Sequence, residues 1–146
     1  MPKQNATMYQ DIWDVYINSY ICDSQLIWSG PNAGKLPLNS PIHVITACNP
    51  FNKLLTTEEN SQRNILLHDE LKTLNVKIKP VIGRSTDGDW NEKSFAVYGL
   101  TRVQACDIAC KYQQRGIFEM SENDLVVIDV NNQQVERSRP RNIDLA

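Results

Sequence analysis

IHVITACNPFNKLLTTEENSQR, residues 42–63, divides into an apolar strand, a polar elbow and a capped helix start. Ile42 to Ala47 is rich in β-branched residues and apolar on both alternating faces. Ile42 and Val44 point one way and Ile45 and Ala47 the other, the pattern of a central strand covered on both sides. Asn49-Pro50 stops the strand, because proline has no amide hydrogen for a ladder and asparagine favours turns. Thr56 with Glu59 three residues later makes a capping box, and Glu58 and Glu59 put negative charge in the first helical turn, where the helix dipole favours it. Strand end and helix start therefore face one side of the domain.

Downstream, Ile65, Leu66, Leu67, Leu71 and Leu74 predict a helix from about Thr57 to Leu74. Val76 to Ile82 alternates with Lys77 and Lys79 outward, and Pro80 makes it an edge strand. Gly83 to Lys93 reads as a long connection carrying Arg84, the turn signal Asp87-Gly88, Trp90 and Glu92. Phe95 to Tyr98 is a further strand. Thr101 with Gln104 is a second capping box, opening a helix lined by Ala105, Ile108, Ala109 and Tyr112. Gly116 to Met120 and Leu125 to Val130 form a hairpin. Upstream, Tyr9, Ile12, Trp13, Tyr16, Ile17, Tyr20 and Ile21 recur at three and four, predicting an amphipathic N-terminal helix that buries Trp13 and Tyr16 against the sheet. Gln25 to Trp28 adds a short strand, and Ser29 to Pro41 is a loop. From Asn131 onward almost nothing is apolar, so residues 131–146, with Arg137, Arg139 and Arg141, read as a flexible tail behind a single α+β domain of residues 1–130.

Strand, helix, strand, strand, helix, strand is the order of a ferredoxin-like split β-α-β sandwich, here with an added N-terminal helix and an extra C-terminal strand. That topology sets the Phe95 strand between the Ile42 and Val76 strands. It gathers Asn49, Glu59, Asn60, Arg63, Arg84, Trp90, Glu92 and Gln114 on one rim of the sheet, with Arg63 as hub between Glu59 and Glu92.

The 146 residues are 41% hydrophobic and 22% charged, enough for a true core without a disulfide or metal. The net charge of -2 argues against recruitment of nucleic acid or an anionic membrane by a global field. The polar start and the lack of any eighteen-residue apolar run argue against a signal peptide or membrane span, so a cytoplasmic location is expected. Four cysteines without CxxC spacing and only two histidines give no metal site, and no cofactor is indicated. Cys48 adjoins the elbow, but no histidine stands at a readable spacing to make it a nucleophile.

The ordered set His43-Val-Ile-Thr-Ala-x-Asn-Pro50, Glu59-Asn60 with Arg63, Pro80 with Gly83, Trp90-x-Glu92-x-Ser94 and Gln114-x-Gly116-Ile117-Phe118 resembles a bacterial family known only as a domain of unknown function. The resemblance spans roughly Tyr16 to Val130 and implies no activity. The family has a small or polar residue where Asn52 stands and a glycine near Asn75, which asparagine replaces in a left-handed conformation.

The rim's chemistry suggests a small anionic, nucleotide-like ligand, bound and acted on or only bound. Arg63 and Arg84 offer forks for phosphate or carboxylate, and Trp90 offers a stacking face. Glu59 and Glu92 are the acid-base pair, with Asn49, Asn60 and Gln114 as orienting groups. The competing reading is a protein-interaction module, a toxin-antitoxin or phage-related partner, that uses the edge strand and arginine tail while the polar rim is purely structural.

Overall fold

The computed structural model describes residues 11–144. Among them, three α-helices accompany one curled antiparallel sheet of eight strands. Helix α1 (Ile12–Ile17) leads into β1 (Tyr20–Cys22), β2 (Ile27–Ser29) and β3 (Ile42–Ile45). A 3-10 turn, Pro50–Asn52, precedes α2 (Thr57–Lys72), followed by β4 (Lys77–Arg84), β5 (Asn91–Tyr98) and α3 (Arg102–Lys111). The chain then runs through β6 (Gly116–Met120), β7 (Asp124–Asp129) and β8 (Val135–Pro140).

Strand order across the sheet is β2-β1-β4-β5-β3-β6-β7-β8. As expected, β5 lies between β3 and β4, with Val44 opposite Ala96 and Pro80 opposite Phe95. Both capping boxes form, Thr56 with Glu59 and Thr101 with Gln104, because each needs only residues three apart. Buried side chains divide between the two faces. Ile45, Val97 and Ile117 pack under Leu67 and Leu71 of α2 and Ala105 and Ala109 of α3. On the other face Ile42, Val44, Ala96 and Phe118 meet Tyr16 of α1 and Trp28 of β2.

Several sequence expectations are corrected here. The N-terminal helix ends at Ile17, and Tyr20 and Ile21 belong to a strand; Tyr9 lies outside the described residues. Tyr16 is fully buried, Trp13 only partly. β4 is not the edge strand that Pro80 implied: it lies third in the sheet, between β1 and β5. β1 pairs with it at Ile82 to Arg84, leaving Pro80 beyond that ladder, on the stretch where a missing amide costs nothing. The long connection shrinks to Ser85 to Trp90, since β4 runs to Arg84 and β5 starts at Asn91. Asn75 is not left-handed.

The largest correction concerns the tail. Val135 to Pro140 is a strand paired with β7, not a flexible extension. Arg137 pairs with Asp14 (2.8 Å) and Asp11 (3.4 Å) at the surface, while Arg139 and Arg141, the latter just past the strand, turn inward. Arg139 donates to the carbonyls of Ile17 (2.6 Å) and Ser19 (3.0 Å), and Arg141 to those of Trp28 (2.9 Å), Gly34 (2.7 Å) and Glu122 (2.8 Å). Burial lowers Arg139 to about 10, yet carbonyl oxygens on several segments satisfy both forks. Beyond β8 the backbone bridges back to the start of the sheet: Gly30 N donates to Arg141 O (2.9 Å) and Ile143 N to Gly30 O (3.2 Å). The two outermost strands of the curl are thus stitched together at Gly30 and Asn142.

Candidate functional site

Where β3 ends, the backbone enters a left-handed bend that few side chains tolerate. Asn49 has φ 50°, Phe51 50° and Asn52 63°. Each such non-glycine residue costs on the order of 1 kcal/mol or more, asparagine least, so the surroundings must enforce the bend. They do so through Asn49. Its Nδ2 donates to Glu92 Oε2 (2.8 Å), and its Oδ1 accepts from Leu55 N and Asn60 Nδ2, both at 2.9 Å. Asn60 Oδ1 in turn accepts from Asn49 N (2.9 Å).

Asn64, one helical turn beyond Asn60, takes Ala47 N on its oxygen (2.9 Å) and donates to Lys93 O (2.8 Å) and Cys48 Sγ (3.3 Å). Thr46 Oγ1 also donates to Lys93 O (2.8 Å). The elbow is thereby pinned to the first turns of α2 and to the start of β5.

Arg63 is not the hub between two carboxylates. It donates to the main-chain carbonyls of Ala47 (2.5 Å) and Tyr112 (2.6 Å), tying the elbow to the end of α3. Gln114 does the same from the other side, donating to Cys48 O (2.9 Å) and Tyr112 O (3.2 Å). The structure therefore gathers Asn49, Asn60, Arg63, Glu92 and Gln114 around the elbow. Glu59 stays exposed as the return half of its capping box. Arg84 is exposed at the far end of β4, its guanidinium 5.9 Å from the Tyr20 ring centre. Trp90 is buried in the core on the α1 side and offers no open stacking face.

Beside the elbow lies a cleft of about 640 Å³ between α2 and the β4–β5 hairpin, a size suited to a small molecule. Asn60, Asn64 and His68 of α2 line one side, Phe95 and Lys93 of β5 the other, with Cys48 at the elbow end. Ile65 (57% exposed) and Ile82 (37% exposed) form apolar lips. His68 lies flat on Phe95, ring centres 5.0 Å apart and planes 8° from parallel. Of the eight rim residues named from sequence, Asn60 and Glu92 line this cleft. Asn64 and His68 were missed, although their spacing from Asn60, four residues at a time, marks one helix face.

A second polar cluster sits between the sheet and α3. His43, fully buried on β3, bonds Glu119 Oε2 through Nε2 (2.9 Å), and Arg102 forks onto the same carboxylate at 2.7 and 3.0 Å. The bond from His43 and then the Arg102 fork hold Glu119 down at about 2. A carboxylate lowered in the fold contributes stability above its unfolded value near 4.5 and loses it as pH falls towards 2. Glu119→Gln should therefore flatten the loss of stability between pH 4.5 and 2, which in the native chain amounts to about 2 kcal/mol from this group. Urea unfolding at stepped pH checks it; an unchanged acid limb would contradict it.

A family model described as "Protein of unknown function (DUF3293)" matches residues 45–117, half of the chain. The chain belongs to that family. The matched span runs from the last residue of β3 into β6, so it holds the elbow, both long helices, the β4–β5 hairpin and most of the cleft lining. It leaves out α1, β1, β2, β7 and β8, the elements that extend and close the sheet. No curated protein and no solved structure matches the chain. Among the described residues no helix is long and apolar enough to cross a membrane.

Proposed function

We propose that this chain binds a small nucleotide-like molecule in the cleft between α2 and the β4–β5 hairpin. The observation that carries the reading is the cleft's composition: exposed Ile65 and Ile82 as apolar lips around the stacked His68 and Phe95 rings, with polar groups at both ends. A planar ring gains by covering the lips and the half-buried His68. The cleft adjoins the left-handed elbow at Cys48, and strained backbone held by a dense hydrogen-bond network is a common companion of binding sites. The order β4-β5-β3-β6 with α2 and α3 supports a ferredoxin-like unit at the centre, widened by two strands on each side.

A thermal-shift panel of nucleosides and nucleotides tests the reading. At least one compound should raise the Tm by mass action, and Ile65→Trp, which fills the cleft from an exposed position, should remove the shift while leaving the unliganded Tm within a degree or two. No shift from any compound, or the same shift in Ile65→Trp, sinks the proposal. The interaction-module reading keeps one support, the exposed Phe51 (55%) and Leu54 (65%) at the elbow. The strand and arginines it first rested on are engaged within the chain: β1 covers part of β4, and Arg139 and Arg141 are buried.

A further inference from the structure

Resting on the cleft reading above, we infer that the ligand is an uncharged nucleoside-type molecule, a planar nitrogen heterocycle carrying a neutral polar group and no phosphate. Phosphate sites collect cations or open amides, and this cleft has neither in number. Among the described residues Lys93 is the only lysine or arginine on its walls, beside Asp23 and Glu92. Two carboxylates beside one lysine give these walls no excess of positive charge. The two arginines best suited to a phosphate are committed elsewhere, Arg63 to two carbonyls and Arg84 against the Tyr20 ring.

The start of α2, which borders the cleft at Thr57, does not supply the missing attraction. Glu58 and Glu59 already occupy its first turn. The Glu59 amide is taken by Thr56 Oγ1 (3.1 Å), and the Glu59 carboxylate folds back onto Thr56 N (3.1 Å). A phosphate placed there meets two carboxylates at close range, whereas a ring laid over His68 and between the isoleucine lips meets none of this penalty. Neutral ring substituents would still find hydrogen-bond partners in the exposed Ser61 and Asn91 at the cleft wall.

Titration calorimetry with adenosine, cytidine, guanosine and uridine, each beside its 5′-monophosphate, decides the matter. At least one nucleoside should bind about tenfold or more tightly than its monophosphate at low salt, the gap narrowing as salt screens the repulsion. Glu58→Gln, an exposed change outside the cleft walls, should strengthen the monophosphate and leave the nucleoside unchanged. A monophosphate that binds as tightly as its nucleoside, or more tightly, overturns the inference and leaves the cleft reading standing. If none of the eight binds, the cleft reading falls with it.

Discussion

Asn49→Ala should destabilise the fold by about 4 kcal/mol, the sum of lost hydrogen bonds to a buried carboxylate and a left-handed backbone that alanine resists. Asn49 supplies Glu92, only 3% exposed, with a donor at 2.8 Å, and accepts from Leu55 and Asn60. Removing it takes one donor away from a desolvated carboxylate, the costly direction in which to break such a bond. Asn49→Gly separates the two contributions. Glycine accepts φ 50° freely, so it should recover about 1 kcal/mol of the alanine loss. Urea titration of the three chains measures both differences, and equal stability of Asn49→Ala and the native chain would show that the elbow holds its shape without this side chain.

The second large effect comes from removing residues 135–146. A chain ending at residue 134 loses β8, the inward forks of Arg139 and Arg141 and the stitch between Gly30 and Asn142. Tyr16 and Trp28, both fully buried, then lose the strand that seals their side of the sheet. The expected result is a chain without a cooperative thermal transition that aggregates at micromolar concentration. A milder version, Arg141→Ala, should cost about 3 kcal/mol, because carbonyls of Trp28, Gly34 and Glu122 are left without donors together. A soluble truncated chain with an unchanged Tm would contradict the role given to β8.

Why the sequence misled at this point is physical. A segment with arginines at 137, 139 and 141 and few apolar residues looks solvated, since nothing in a sequence marks the backbone carbonyls that will receive a guanidinium. The same blindness made Arg63 look like a partner of Glu59 and Glu92: carboxylates are visible in a sequence, whereas the carbonyls of Ala47 and Tyr112 are not. Asparagine at the elbow was legible as a turn former, but its place at the centre of the network depends on the left-handed bend, which the following Pro50 only hints at.

Features settled within a few residues were read correctly. Both capping boxes and the β6–β7 hairpin follow from local chemistry, and the neighbours of β5 follow from the order of the central elements. The apolar stripe of Tyr16, Tyr20 and Ile21 was ambiguous in principle. Its spacing fits a helix, yet Asn18 and Ser19 give α1 an early exit, and Tyr20 to Cys22 then pairs with β4. The cleft escaped because its walls come from α2 and a hairpin whose approach is set by packing, and only Asn60 and Glu92 carried a visible polar signal.

The stitch at Gly30 also sets an order of events during synthesis. Trp28 leaves the ribosome 113 residues before Arg141, the side chain whose fork receives its carbonyl. At ordinary translation rates that is a wait on the order of ten seconds, during which α1, β1 and β2 have no closing strand. The central strands β3 to β6 are all in the chain by residue 120, before β7 and β8 have been made. The nascent chain therefore passes through a long-lived state with its central strands made and an unsealed apolar face. Slowing elongation past residue 120 should prolong chaperone occupancy on Tyr16 and Trp28, and a circular permutant that begins near Asn131 and carries β8 ahead of α1 should shorten it.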